Sequence, residues 1–388
     1  MSVLFVFSAP IIPYIGGIQR VVHILASELQ KRGYRLNFLS YTRSTEEFET
    51  VAPQFYIDLS NLSDKRLLKS YEDLLKTLDV NVVVFLENGS NDLFLLANTP
   101  SEVKKIVCCH TQPLYVMGNA KHFIVHNKQT SLLKQALAFV YYLFPSLYER
   151  RAIAKTRQQF HQILKVCDYY CLLSERFIGR ILKYIPDIEI SKLIAINNPI
   201  LTTSSDIYLN QPKENAILWV GRVHNAEKNL KGFLTFWDHF YKSHPEWKTY
   251  IVGTGPDLEK NIKYAETLAL QNVYFEGRRQ DVEYFYNKCR FLCCTSITEG
   301  WGMAIVEAMS KGCVPCAYST YESLHDIITD GVDGIIANPS DINELIEKMD
   351  FYINSPVDYE RLSNNAKAKV RSFSVDRIAD KWECILKS

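Results

Sequence analysis

Two glutamates eight positions apart, Glu299 and Glu307, bracket the run Gly300-Trp301-Gly302-Met303-Ala304-Ile305-Val306. A glycine loop that opens a helix presents free backbone N–H groups and a positive helix end, and both cradle phosphate oxygens. Carboxylates just before and just inside that helix can hold neutral hydroxyls on either side of the phosphate. The structural alternative is a plain loop-to-helix junction, with Glu299 capping and Glu307 solvated. A second set is Val220-Gly221-Arg222, with Lys228 six positions further on. Arginine offers a planar fork for phosphate oxygens and lysine a compact charge. At the end of a strand, these two cations would stand at the mouth of a ligand crevice. Two surface cations in a loop are the alternative.

Three weaker signals accompany them. Val252-Gly253-Thr254-Gly255-Pro256-Asp257 has Leu258 where a dinucleotide fingerprint needs its third glycine, so it reads as a turn into a helix. Ile15-Gly16-Gly17-Ile18 is a glycine turn ahead of an amphipathic helix. His110 directly follows the apolar run ending Cys108-Cys109, where a strand's carboxyl end would turn it towards a ligand crevice.

The elements that must position these residues recur along the chain. Apolar runs at Val3–Phe7, Leu36–Ser40, Val80–Leu86, Lys105–Cys109, Tyr169–Leu173 and Leu193–Ile196 alternate with helical stretches. A polar tract follows, from Thr202 to Glu214, with the composition of a linker. The pattern restarts at Ala216–Val220, Thr249–Val252, Val273–Phe275, Phe291–Cys294, Val314–Ala317 and Gly334–Ile336. Stacked βαβ units with parallel sheets are the expectation for both halves. The 388 residues therefore divide into two Rossmann-like α/β domains facing a deep cleft, 1–199 and 200–373. The amphipathic segment 374–388 needs an apolar partner surface, which either domain could supply, by packing back on the first or staying with the second.

Together these blocks resemble the retaining, nucleotide-sugar-dependent glycosyltransferases of family 4, which have the GT-B fold. The resemblance runs from Gly16-Gly17 to the C-terminal helix and is most specific in Glu299–Glu307, Gly221-Arg222 and Lys228. It implies that Glu307 binds ribose hydroxyls, that Glu299 contacts the donor sugar, and that Arg222 and Lys228 hold the diphosphate. Gly16, Gly17 and the backbone of Gly300, Trp301, Gly302 and Met303 would approach the same phosphates, with His110 near the reacting sugar. By the same resemblance a hexose leaves a UDP-type donor with retention, and leaving-group phosphate helps to take the proton of an acceptor hydroxyl. No cofactor or metal is implied, and no two aspartates stand one residue apart, as metal-bridging glycosyltransferases require. The implied acceptor is a glycan, often polyprenyl-diphosphate-linked, in envelope polysaccharide synthesis. Trp301 and Tyr318-Ser319-Thr320 depart from the family pattern, which leaves the donor sugar open. An epimerase of related fold, or a non-catalytic nucleotide-sugar binder, would share much of this set.

Charge adds a further reading. Lysines and arginines number 44 against 43 acids, a net of +1, which argues against a general nucleic-acid binder. From 113 to 165, however, eight cations face Glu149 alone and interleave with Phe139, Tyr141, Tyr142, Phe144 and Tyr148. That composition suits an anionic membrane surface; the alternative is a packed helix with a solvated basic side. The N-terminus lacks the basic start of a signal peptide, and the ten cysteines lie mostly within apolar runs. A cytoplasmic enzyme, peripheral on the inner membrane face, is the expectation.

Overall fold

A computed structural model describes residues 1–13, 16–44, 48–62, 65–126, 132–201 and 212–388. Contacts divide the chain into two compact units. The first comprises Met1–Leu114, Arg150–Leu201 and Phe373–Ser388; the second comprises Tyr115–Glu149 and Thr202–Ser372.

Seven parallel strands form the sheet of the first unit: β1 (Ser2–Phe7), β2 (Arg35–Ser40), β3 (Gln54–Tyr56), β4 (Val82–Phe85), β5 (Lys104–Cys109), β6 (Tyr169–Leu172) and β7 (Leu193–Ala195). Their order is β3-β2-β1-β4-β5-β6-β7. All of β1 and β4 is buried, as strands covered by helices on both faces must be, so they read as continuous apolar runs. In register, Val3 of β1 faces Leu36 of β2 on one side and Val82 of β4 on the other. The strand order reverses at that point, and their carboxyl ends open the crevice where doubly wound sheets bind ligands.

The last helix, Val375–Lys387, buries Ile378, Ala379, Trp382 and Leu386 in the same core as Val22, Leu25 and Leu29 of the helix Gly17–Lys31. Arg32 fastens it from the rim, donating to Asp380 at 2.7 Å and to Glu383 at 3.0 Å. Apolar burial dominates here, because ion pairs at a wet rim contribute at most about 1 kcal/mol each.

Six parallel strands form the second sheet: β8 (Glu214–Val220), β9 (Lys248–Val252), β10 (Val273–Gly277), β11 (Cys289–Cys294), β12 (Val314–Tyr318) and β13 (Ile335–Ala337). The order β10-β9-β8-β11-β12-β13 repeats the reversal, now between β8 and β11. Trp219, Phe233, Trp237, Trp247 and Phe291 fill its core. The sequence reading placed every strand but β3, a three-residue, half-buried element with too little apolar periodicity to register.

The units depart from the expected ranges in one segment. Tyr115–Glu149 groups with the second unit, where the imidazole Nε2 of His122 lies 3.0 Å from the Ala226 carbonyl. That segment carries the helices Ala120–His126 and Leu132–Leu143. Most of the linker tract Thr202–Glu214, and Lys128 of the basic stretch, lie outside the described residues. Among the described residues no helix is long and apolar enough to cross a membrane.

Candidate functional site

The loops after β8 and β11 build the first cluster. Gly221 donates to the Val252 carbonyl at 3.1 Å and Val223 to the Thr254 carbonyl at 2.9 Å, so the loop after β9 lies directly on the loop after β8. This contact explains Gly253 and Gly255. A Cβ on Gly253, whose φ is +144°, would stand 1.9 Å from the Gly221 oxygen, and one on Gly255 would stand 2.4 Å from the Val223 oxygen. The turn expected there is therefore a support: its glycines let a second backbone hold the loop of Arg222 in place.

Lys228 and Glu299 meet at the centre. Lys228 Nζ lies 2.5 Å from Glu299 Oε1, and the Ser296 hydroxyl donates to the same oxygen at 2.7 Å. The side chains are 25% and 13% exposed, so the pair is half-buried and only partly screened. Burial alone would lower the pKa of the Lys228 ammonium, but the Glu299 carboxylate overrides it and holds the value above the ordinary one. The loops are stitched together by backbone: Ile297 N–H donates to the Glu227 carbonyl at 2.7 Å, and the Thr295 hydroxyl reaches the carbonyl of Asn229 at 3.0 Å. Asn229 then caps the helix Leu230–Ser243, accepting from Gly232 N–H at 3.1 Å.

Arg222 is 61% exposed and donates to Glu227 Oε2 at 3.0 Å. Gly302, at φ +84°, starts the helix Met303–Ser310 from a left-handed conformation that favours glycine. Trp301 just before it is only 2% exposed, so its indole packs inside the unit. On that helix Glu307 accepts from the Tyr286 hydroxyl at 3.0 Å. Thr320, at one of the departures from the family pattern, donates to the Ser296 carbonyl at 2.5 Å and so braces the loop that carries Glu299.

In the first unit Gly16, at φ +81°, caps the start of the helix Gly17–Lys31. Its neighbour Ile15 lies outside the described residues. His110 follows β5 and lines a cavity of about 400 Å³ with Ser8, Glu87, Asn88, Asp92 and Thr111, at the carboxyl ends of β1, β4 and β5. Both its ring nitrogens are buried with no partner among the described residues. Burial lowers its pKa to about 4, so the imidazole is neutral at physiological pH. Among the described residues no group of three or more His, Cys, Asp and Glu side chains is placed to hold a metal ion.

The structure thus joins Lys228 to Glu299, leaves Arg222 and Glu307 with Glu227 and Tyr286, and places His110, Gly16 and Gly17 in the other unit. The sequence reading missed Ser296, Tyr286 and Glu227, and in the first unit Glu87 and Asp92. A signal did exist for the last two: Glu87-Asn88-Gly89-Ser90-Asn91-Asp92 is a polar cluster directly after a buried apolar run.

Comparison with known proteins bears on the fold and on the second unit. Residues 202–369 match the family Glycosyl transferases group 1. The chain is 23% identical over 379 residues to an uncharacterized glycosyltransferase of Haemophilus influenzae, a match that covers 96% of each chain. It is 29% identical over 171 residues to the Campylobacter jejuni GalNAc-alpha-(1->4)-GalNAc-alpha-(1->3)-diNAcBac-PP-undecaprenol alpha-1,4-N-acetyl-D-galactosaminyltransferase, covering 44% of this chain and 47% of that protein. Among solved structures it resembles a variant of S. aureus TarM in complex with Fondaparinux, alpha-GlcNAc-glycerol and UDP. That likeness has a TM-score of 0.77 at 11% identity and covers 100% of both chains. The match over residues 202–369 is to the glycosyltransferase group 1 family, and the likeness to solved structures gives the two parallel-sheet units the GT-B fold.

Proposed function

We propose that this chain is a glycosyltransferase of cell-envelope glycan synthesis that moves a hexose-type sugar from a UDP-sugar to a hydroxyl of a glycan acceptor. The observation that carries the reading is the half-buried Lys228–Glu299 pair at the carboxyl ends of β8 and β11, beside Arg222 and the glycine-started helix of Glu307. A departing nucleoside diphosphate develops charge that fixed cations and N–H groups stabilise without reorganisation. Lys228 and Arg222 supply the cations, and the backbone at Gly302 and Met303 supplies donors. Glu299 holds the Lys228 ammonium in place and turns its remaining acceptor capacity to sugar hydroxyls, while Glu307 takes those of the ribose.

Retention follows from same-face attack, and no carboxylate serves as a covalent nucleophile. The Campylobacter relative's name supports this, since it specifies an α-linkage and UDP-hexoses are ordinarily α-linked. The same name specifies a PP-undecaprenol carrier, which supports a polyprenyl-diphosphate-linked acceptor for this chain. Docking on the inner membrane face fits the segment Tyr115–Glu149: Leu133, Phe139 and Phe144 are 84%, 63% and 57% exposed, and the same segment carries Lys121 and Lys134. Arginine and lysine near exposed aromatics are the composition of an interfacial anchor.

Incubation with UDP-sugars and a polyprenyl-diphosphate-linked glycan in the presence of EDTA tests the reaction. An α-linked product is expected; no product from any donor, or conversion of the UDP-sugar without acceptor, overturns the reading. Flotation with vesicles containing phosphatidylglycerol tests the surface. Binding at low salt that is lost in a Phe139→Ser/Phe144→Ser variant is expected, and wild-type protein that stays unbound removes the membrane from the account.

A further inference from the structure

The loop that carries Arg222 and Lys228 is braced at its start by the loop after β9 and at its end by the loop after β11. Between those braces lie Asn225 and Ala226, both buried. Asn225 N–H donates to Asp257 Oδ2 at 2.9 Å, which ties it to the start of the helix Leu258–Thr267. Ala226 is held from elsewhere: its carbonyl lies 3.0 Å from Nε2 of His122, 104 positions earlier in the chain. A carbonyl only accepts, so Nε2 carries the proton and the imidazole donates.

His122 is itself held firmly in the second unit. Its helix, Ala120–His126, buries Ala120 and Phe123. Phe123 meets the Tyr115 ring edge-on at 4.8 Å, and Gly118 N–H donates to Glu149 Oε1 at 2.9 Å. One turn along the helix, the His126 ring lies 4.3 Å from that of His122, and its Nδ1 is 2.8 Å from the His122 carbonyl. Burial first, and His126 second, lower the pKa of His122, so it braces the loop as a neutral imidazole and adds no charge beside the cations.

The bonded carbonyl belongs to the planar peptide that joins Ala226 to Glu227. Glu227 accepts from Arg222, and Lys228 is the next residue. Arg222 is largely exposed, so its place depends on the backbone beneath it. A shift of about 1 Å in such a group can cost on the order of 100-fold in rate.

We propose that His122 is a positioning residue for the donor cations: by fixing the Ala226–Glu227 peptide it sets Arg222 and Lys228 for the diphosphate, acting through the loop and not on a substrate. The inference rests on the glycosyl-transfer reading above.

The test compares three substitutions in the full chain. His122→Phe keeps the ring beside His126 and removes the N–H. His122→Asn keeps a polar side chain whose amide is too short for the carbonyl, so the result does not hang on how one variant folds. His122→Gln returns an N–H at the reach of Nε2. With a UDP-sugar, the Phe and Asn variants should lose about tenfold in donor kcat/KM, and Gln should recover most of it. Acceptor KM and Tm should stay at their wild-type values, whereas a side chain that merely packs would lower Tm in all three. Hydrogen exchange of the amides of 224–228 needs no substrate; it should quicken in the Phe and Asn variants and slow again in Gln. Wild-type donor kinetics in Phe and Asn, losses in Gln equal to theirs, or unchanged exchange overturn the proposal. A wild-type chain that binds no UDP, with exchange responding as expected, instead marks failure of the glycosyl-transfer reading.

Discussion

The two sheets turn on the same strand order, yet the loops at their reversal points are built to opposite ends. In the second unit the loops after β8 and β11 bring a lysine and a glutamate into contact and pin them with backbone bonds and close-packed glycines. In the first unit the loops after β1, β4 and β5 gather acids and a neutral histidine around open space. Topology therefore decides only where a site can form. Its character follows from which side chains are compensated: a charged pair in the second unit, and acids without a lysine or arginine among the described lining in the first.

The sharpest way to separate the two is to remove the compensating cation. Lys228→Ala should lower turnover about 100-fold or more, the usual loss for one charge-stabilising donor. It also leaves Glu299 half-buried without its partner. Steady-state kinetics with a UDP-sugar check this, and near-normal turnover removes Lys228 from the site.

Next comes packing. Gly253→Ala forces a Cβ to within 1.9 Å of a backbone oxygen at an unfavourable φ. Overpacking and backbone strain together should lower stability by about 3 kcal/mol or more. Gly17→Ala, where a Cβ meets nothing within 4 Å, should unfold at the wild-type denaturant midpoint or above it. Equal losses in urea titrations would contradict the contrast between a braced loop and an open one.

A further expected effect concerns pH. His110 has a folded pKa of about 4 against an ordinary 6.5. Between those values the unfolded chain binds a proton that the folded chain does not, so stability falls as pH drops through that window and stops changing below it. His110→Asn should flatten part of that slope in melts between pH 6.5 and 4. An unchanged slope would mean that the imidazole is not held neutral by burial.

The strands were legible because each is an apolar run bounded by polar turns, while Gly221, Arg222, Lys228, Glu299 and Glu307 stood out by residue type after two of those runs and by the family resemblance. What the chain did not disclose was pairing. Nothing in the spacing says that Ser296 and Lys228 share one oxygen of Glu299, or that Arg222 turns to Glu227, because both depend on how two loops distant in sequence approach each other. Gly253 and Gly255 read as a turn, and their real constraint, the backbone of Gly221 and Val223, appears only in space. The polar cluster after β4 was visible but unweighted, since its place beside β1 is set by the strand order.

Calorimetric titration of UDP into the wild-type chain and into Lys228→Ala and Glu307→Gln tests the central claim most directly. Saturable 1:1 binding to the wild type, weakened about tenfold or more in each variant, is the predicted result. Absence of binding to the wild type, or equal affinity in all three, would contradict the assignment of a nucleotide donor to the loops after β8 and β11.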